Sequence, residues 1–294
     1  MPLTGRERRL ITHSGVLTLR VMGTAGDLDL ERYFERIGYD GDRSATTATL
    51  NAIAAHHARS IPFENLDPFL GTPNRLDLGS LQRKLVESRR GGYCFEQNLL
   101  LRAVLLELGF EVTALAARVL WGSTSTDVIN PRSHMLLVVD VEGDRRIIDV
   151  GFGGMTLDTT LRLETNTVQD TPLEPFRLLD LRGDYLLEAL VGDEWRPIYR
   201  FDLTPQHPVD YEAPNWYLST WPGSHFVTGL LAARVAEGRR YALNGTRFTV
   251  HPLGGESVRL ELTSADELRK CLESEFLIDT SGLRGLDEAF HRLP

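Results

Sequence analysis

The sequence predicts an α+β fold with a helical first third, a β-rich middle and a mixed α/β tail. Before residue 110, apolar residues recur at helical spacing in four successive segments. In the middle, short apolar runs are broken by Glu-Gly-Asp, Arg-Gly-Asp and Gly-Asp-Glu turns. Short antiparallel strands at such intervals favour a barrel or a sandwich.

The four predicted helices each carry their own boundary signals. The segment "DLDLERYFERIGY" has Gly38 as its stop, and "SATTATLNAIAAHHARSIPF" ends at Pro62. For "GSLQRKLVESRRGG", we predict Ser80 as the N-cap and Gly91 as the end. In "CFEQNLLLRAVLLELGF", apolar residues face nearly every direction, so we expect this fourth helix to be buried on most sides.

The tail is predicted to contain further strands and a closing helix. The strands flank an "NGT" turn, and the helix begins with a capping box formed by Ser264 and Glu267. Cys271 shares the inner face of this helix with Leu268, Leu272 and Phe276. We therefore interpret Cys271 as a buried structural thiol.

Composition excludes several classes of function. The chain has 294 residues, of which 42% are apolar and 25% charged, as in an ordinary globular protein of two or three domains. Its net charge of −9 argues against non-specific nucleic-acid binding. No apolar run approaches the roughly 20 residues that span a bilayer. Two cysteines do not form a disulfide framework and fit a reducing cytoplasm.

Cys94 lies in the stretch "RRGGYCFEQN" and is the first residue of the buried fourth helix. A cysteine in the first turn of a helix meets the partial positive charge of that helix end, which favours the thiolate. Gly91 and Gly92 allow a tight backbone turn and the close approach of a substrate. A free cysteine is more often a small buried apolar residue, so a catalytic role requires partners.

The stretch "PRSHMLLVVDVEGDRRIIDVGFGG" supplies such partners. His134 begins one strand and Asp149 ends the next, and a hairpin that turns near Glu142 and Asp144 would bring these ends together. Cysteine, histidine and an orienting carboxylate are the parts of an activated nucleophile. The adjacent "GFGG" is only a weak phosphate-binding signal. The pair His56-His57 lacks the HExxH spacing, so we predict no metal site.

Four motifs together resemble the arylamine N-acetyltransferase family: "IPFENLDP", "RRGGYCFEQN", "SHMLLVVDV" and "DVGFGG", in this order within about residues 27 to 285. The resemblance implies an N-terminal helical bundle, a central antiparallel β-barrel and a C-terminal α/β lid, around a core like that of cysteine proteases. It implies four regions: an extension at 1–26, the bundle with the nucleophile at 27–110, the barrel with histidine and aspartate at 111–215, and the lid at 216–294.

The resemblance also implies the site residues. Cys94 resembles the acetyl-accepting nucleophile, His134 the base and Asp149 the orienting acid, while Arg90 and Glu64 resemble a structural ion pair. The implied acceptor pocket is lined by Phe63, Phe152 and Phe226. The implied CoA channel is bordered by Ser133 and Gly153, with Phe226 assigned to it as well.

The activity that the resemblance implies is acetyl transfer from acetyl-CoA to an arylamine or arylhydrazine nitrogen, through an acetyl-cysteine, in xenobiotic metabolism. Acetyl-CoA is then a co-substrate, with no permanently bound cofactor, no nucleic-acid or membrane partner, and a monomer or homodimer as the unit. Three alternatives stay open at this level. They are an ansamycin-type amide synthase, a cysteine hydrolase or transglutaminase-like enzyme, and a non-catalytic binding module, against which the intact triad argues.

The sequence yields one prediction about the extension. Starting the protein at Met22 should leave the melting temperature and arylamine acetylation almost unchanged, because residues 1–21 precede the first clear helix and the region of resemblance. The competing hypothesis is that Val16 to Val21 adds a strand or an oligomer contact. Both forms would be compared by thermal melting, size and turnover. A truncated form that aggregates or melts several degrees lower would contradict the prediction.

Overall fold

The computed structural model of the chain describes residues 28–123 and 125–293, so the predicted extension at 1–26 lies outside the described residues. The described residues form helices α1 to α9, in chain order Leu30–Ile37, Thr47–Ser60, Leu66–Phe69, Leu78–Leu81, Cys94–Glu107, Glu212–Thr220, His225–Thr228, Ala265–Ser274 and Leu286–Phe290. A π-helical segment, Gln82–Glu87, continues α4, and a 3₁₀ turn, Pro208–Tyr211, precedes α6.

The same residues form strands β1 to β13. In chain order they are Phe63–Glu64, Glu111–Val119, Arg132–Val141, Asp144–Ile148, Leu161–Arg162, Val168–Gln169, Phe176–Leu181, Asp184–Val191, Glu194–Phe201, Leu231–Ala236, Arg239–Asn244, Arg247–Pro252 and Val258–Glu261. Mixed helix and sheet, with helices before a β-rich middle, confirms the predicted α+β class.

The eight strands of the middle form one antiparallel, nearly closed sheet in the order β5-β4-β3-β2-β9-β8-β7-β6. Its two end strands meet through a side chain. The amide group of Gln169 in β6 accepts a hydrogen bond from the Arg162 N–H in β5 (2.7 Å) and donates one to the Arg162 carbonyl (2.9 Å). A side-chain amide thus bridges the two edges, and the sheet is barrel-like, as the turn spacing predicted.

The central strands β2 and β3 are buried on both faces, which explains their continuous apolar sequence. Along β3, Leu136 and Val138 point into the barrel, whereas Met135, Leu137 and Val139 pack against the helices of the first third. Side chains alternate between the faces of a strand, so each face here contributes to a different core. The helix α5 covers the outer face and is itself buried along most of its length.

Three of the four predicted helices of the first third have their expected boundaries. Gly38 ends α1 in the left-handed conformation (φ 67°). The expected boundaries of the third helix were wrong. Its N-cap is Asp77, whose carboxylate accepts the Ser80 N–H (3.0 Å), so Ser80 lies inside the helix. The helical segment ends at Glu87 rather than at Gly91.

A second antiparallel sheet, in the order β1-β10-β11-β12-β13, carries α8 and α9 against one face. Cys271 is buried in this core with Leu268 and Leu272, and both cysteines are free. The sequence predicted that Cys271 lies on the last helix, but the helix that carries it is α8. The short helix α9 follows it.

Arg240 joins the second sheet to the barrel. Its guanidinium is only 5% exposed and makes hydrogen bonds of 2.7–3.1 Å to the Glu174 carboxylate. It also donates to the Thr156 carbonyl (2.8 Å), in the segment that follows Gly153. Removing one partner of a buried ion pair leaves the other charge uncompensated.

We therefore predict that Arg240→Leu lowers the free energy of unfolding by about 3 kcal/mol, measured by urea denaturation. The matched control is Arg239→Leu, because Arg239 precedes it on β11 and is exposed. The control should change the stability by no more than about 0.5 kcal/mol. Equal losses of stability in both variants would show that the buried contacts of Arg240 with Glu174 and Thr156 are not the cause of the loss.

Candidate active site

Cys94 is the first residue of α5 and is buried. The turn before it is fixed by the Glu96 carboxylate, which accepts the Tyr93 N–H (3.1 Å). Neither Gly91 nor Gly92 has a positive φ. A Cβ atom at Gly91 would lie 2.2 Å from the Pro62 carbonyl oxygen. The glycines are thus required for close packing rather than for an unusual backbone turn.

His134 and Asp149 meet at the ends of the β3–β4 hairpin, as predicted. The Nε2 atom of His134 lies 2.7 Å from Oδ2 of Asp149, and both side chains are buried. The other carboxylate oxygen accepts the Gly151 N–H (3.0 Å). With Nε2 directed at the carboxylate, Nδ1 is the ring nitrogen left for a second partner.

Cys94 is the other side chain that acts on the His134 ring. Its thiol lies 3.7 Å from the Ser133 carbonyl oxygen, and it interacts with the His134 ring. Burial alone would lower the pKa of His134, but Asp149, and then Cys94, outweigh burial and raise that pKa to about 10. His134 is therefore protonated at neutral pH.

Asn98 connects the helix to this hairpin and was not singled out as a site residue. Its amide nitrogen donates to the Asp149 carboxylate (3.0 Å) and to the Met135 carbonyl (2.8 Å). Its amide oxygen accepts the Val150 N–H (3.2 Å). The available signal was the crowding of polar residues into the first turn of an otherwise apolar helix, because buried polar groups require partners.

The predicted ion pair between Arg90 and Glu64 is present and belongs to a larger buried network. Arg90 contacts Glu64 and Asp67, each at 2.8 Å. Lys84 contacts Asp67 at 2.8 Å and Glu96 at 2.7 Å. Burial raises the pKa of Glu96 to about 7, against the opposing effect of Lys84. Three carboxylates and two cations thus surround the loop before the nucleophile.

A second buried network links α1 and α2 to the same loop. The Tyr33 hydroxyl lies 2.8 Å from Nδ1 of His57, whose Nε2 lies 2.7 Å from the Gln97 side-chain oxygen. The Gln97 amide nitrogen donates to the carbonyls of Pro62 (2.7 Å) and Gly92 (3.2 Å). Burial lowers the pKa of His57 to about 4, so this histidine is neutral and serves as a hydrogen-bonding link.

A cavity of about 460 Å³ opens onto Cys94 and His134. It brings together the other predicted site residues except Asp149, which lies behind His134: Phe63, Ser133, Phe152, Gly153 and Phe226. Sequence reasoning missed further lining side chains, among them Trp121, His225 and Asn244. The division of these residues between acceptor and CoA stays a prediction.

Aromatic rings pack around the histidine and across the cavity. The His134 ring lies 5.0 Å from Tyr199 and 5.2 Å from Phe152, measured between ring centroids. The rings of Phe63 and Phe226 are 6.0 Å apart. Such walls suit a flat aromatic ligand.

Neither a metal-binding cluster nor a membrane-spanning helix occurs within residues 28–123 and 125–293. These ranges contain no group of three or more His, Cys, Asp or Glu residues that could hold a metal ion. In the same ranges, every helix is too short or too polar to cross a membrane.

Comparison with known proteins defines the class of the molecule. A family model described as N-acetyltransferase matches residues 46–283. The arylamine N-acetyltransferase of Mycolicibacterium smegmatis is 46% identical over 264 residues, which cover 88% of this chain and 95% of that protein. That of Mycobacterium tuberculosis H37Rv is 42% identical over 277 residues, covering 91% and 98%.

A solved structure agrees with the sequence matches. The Mycobacterium marinum arylamine N-acetyltransferase in complex with CoA is 41% identical, with a TM-score of 0.87 over 90% of this chain and 99% of that one. The protein is thus an acetyltransferase. It belongs to the arylamine N-acetyltransferase family.

The raised pKa of His134 leads to a prediction for Asp149→Asn. Removing the carboxylate lowers the pKa of His134, so the imidazolium is lost at neutral pH, and turnover should fall by about 10³–10⁴, as in serine triads. In the unmodified protein, the NMR titration profile of the His134 ring should be flat between pH 6 and 8, because its pKa is about 10. In the variant the ring should titrate within or below that range, because the largest effect that opposes burial is gone.

The control is Asp184→Asn, which removes a carboxylate paired with Arg200 in the barrel (2.5 Å). The titration profile of its His134 ring should match that of the unmodified protein. A folded Asp149→Asn variant with normal turnover and a flat profile would mean that another group holds His134 protonated.

Proposed function

We propose that the protein transfers an acetyl group from acetyl-CoA to the nitrogen of arylamines or arylhydrazines, through an acetyl group held on Cys94. The observation that carries this proposal is the alignment of Cys94, His134 and Asp149 at a cavity with aromatic walls. The CoA complex of the related Mycobacterium marinum enzyme supports acetyl-CoA as the co-substrate.

In the first half-reaction, the Cys94 thiolate attacks the thioester carbonyl of acetyl-CoA. The bond between the acetyl carbon and the CoA sulfur breaks, and the His134 imidazolium gives its proton to the leaving thiolate. One thioester replaces another, so this step is close to energetically neutral. Asp149 stabilises the imidazolium before the transfer and holds the ring in place.

In the second half-reaction, the amine nitrogen attacks the acetyl carbon on Cys94. The neutral His134 accepts the amine proton while the bond between carbon and the Cys94 sulfur breaks. This restores the thiolate and the imidazolium together. An amide is more stable than a thioester, so this half drives the cycle.

The proposed acceptor pocket uses the three phenylalanines that line the cavity. Phe63 and Phe152 line the cavity that opens onto Cys94, and an aryl ring between them would present its nitrogen to Cys94. Ser133, Gly153 and Phe226 are proposed to border the path of the CoA arm. A Cβ atom at Gly153 would lie 3.3 Å from the Phe63 ring, so a side chain there would press on the pocket wall.

The finer reading of the fold belongs to the same proposal. We propose that 27–110, 111–215 and 216–294 act as bundle, barrel and lid, and that the core is related to that of cysteine proteases. The contact of His134 Nε2 with a carboxylate, which leaves Nδ1 for sulfur, supports this relation. A cytoplasmic location and a role in xenobiotic metabolism complete the proposal, and two free cysteines fit the former.

The test is mass spectrometry of the protein mixed with acetyl-CoA and no amine. One acetyl group should appear on Cys94, with a single burst of free CoA equal to the enzyme concentration. Cys94→Ser should lose nearly all turnover, because a hydroxyl is far less readily ionised than a thiol. Cys271→Ser is the matched control and should acetylate normally, since that thiol is buried in a separate core.

Three outcomes would contradict the proposal. Acetylation of Cys271 or a lysine, with Cys94 unmodified, would show that Cys94 is not the nucleophile. Continuous release of CoA without an amine would indicate a hydrolase. Failure to acylate from acetyl-CoA, with acylation from a carrier-bound chain, would favour an amide synthase.

A further inference from the structure

Among residues 28–123 and 125–293, the strand β13 lies at the open edge of the second sheet, where β12 is its neighbour. All four of its residues are exposed, including Val258 (55%) and Leu260 (56%). Edge strands carry unpaired backbone groups and are usually protected by charge. The charged residues here are one arginine and one glutamate, Arg259 and Glu261, so their net charge is zero.

Leu260 stands at the open end of an apolar row that crosses the sheet. In register, Leu243 of β11 lies beside Phe248 of β12, which lies beside Leu260. The exposed fractions along this row are 2%, 6% and 56%. The row is therefore covered by α8 and α9 at its start, and no other described residue covers its end.

One contact shows which residues of β13 direct their backbone groups towards β12. The Leu262 N–H donates to the Thr246 carbonyl (2.8 Å), in the same register that pairs Leu260 with Phe248. In an antiparallel pair, hydrogen-bonded residues alternate, so 258, 260 and 262 bond towards β12. The N–H and C=O groups of Arg259 and Glu261 then point to the open edge.

These outward groups limit how two copies of β13 can pair about a two-fold axis. Arg259 can oppose Arg259, Glu261 can oppose Glu261, or Arg259 can oppose Glu261 on both sides of the axis. The first two registers place like charges opposite each other, which is destabilising. The third pairs opposite charges twice and places Leu260 against Leu260 of the other copy.

We propose that β13 is a self-complementary edge through which two copies of this chain form a dimer, centred on Leu260. Four backbone hydrogen bonds from Arg259 and Glu261 would join the sheets. Glu261 already contacts Arg247 at 3.0 Å, so it is held at the edge, and Arg259 of the second copy would add to that contact. Val258 would oppose Leu262 on the apolar face.

The size of this edge sets the strength of the dimer. A contact through four residues a side buries less than the roughly 1,200–2,000 Å² of stable complexes. The dimer is therefore weak and dependent on concentration. It lies on β13, which contributes no residue to the cavity at Cys94, so the inference does not depend on the proposed function.

Disulfide trapping in the full chain tests the register. Non-hydrogen-bonded antiparallel partners have Cα atoms about 4.5 Å apart, within the range for a disulfide. Leu260→Cys should therefore form a covalent dimer under mild oxidation, seen on non-reducing gels. Val258→Cys is the matched control, because the exposure of Val258 is nearly the same. In the proposed register, position 258 of one copy lies about 13 Å from position 258 of the other, and the yield should be at least about tenfold lower.

Charge reversal provides the second arm, read by analytical ultracentrifugation. Arg259→Glu alone and Glu261→Arg alone should each weaken the dimer. The double reversal should recover part of the affinity, because opposite charges again face each other across the axis although Arg247 then faces a like charge within its own chain. Equal cross-linking at 258 and 260 would overturn the proposal, since random collision would then explain both. Absence of a cross-link at 260, or a double reversal no better than the single changes, would also overturn it.

Discussion

The site depends on the close approach of the first turn of α5 to the β3–β4 hairpin. A Cβ atom at Gly151 would lie 2.7 Å from the Cα of Cys94, so only glycine permits this distance. Asn98 then fixes the two elements together through its contacts to Asp149, Met135 and Val150. A helix and a hairpin from separate parts of the chain thus become one rigid support.

The helix α5 is buried, yet its first turn carries the three polar side chains of Glu96, Gln97 and Asn98. Glu96 is paired with Lys84, Gln97 with His57 and the Pro62 carbonyl, and Asn98 with the hairpin. Each buried polar group would destabilise the fold without a partner. The helix is therefore held in one position and rotation, and the direction of the Cys94 side chain follows from it.

The buried titratable groups around the contact between α5 and the β3–β4 hairpin have different charged neighbours. On the cavity side, Asp149 raises the pKa of His134 to about 10 even though burial opposes this. On the far side, Lys84 and Arg90 face three carboxylates, and burial raises the pKa of Glu96 to about 7. The ring of His57 meets the neutral side chains of Tyr33 and Gln97 instead, and burial lowers its pKa to about 4. Burial acts on all three groups and decides the direction of the pKa shift for Glu96 and His57, whereas neighbouring charges outweigh it at His134.

The sequence by itself determined the class of fold and the meeting of His134 with Asp149 at the ends of one hairpin. It could do so because periodicity, turns and the hairpin are local, and local spacing brings His134 and Asp149 together. It misplaced the start of the third helix, because Asp77 and Ser80 are both competent caps and packing selects one. Only the tertiary structure decided the partners of Glu96, Gln97 and Asn98, the closing of the barrel by Gln169 and the uncovered end at Leu260. These contacts join residues distant in sequence, and no local pattern specifies which buried group meets which.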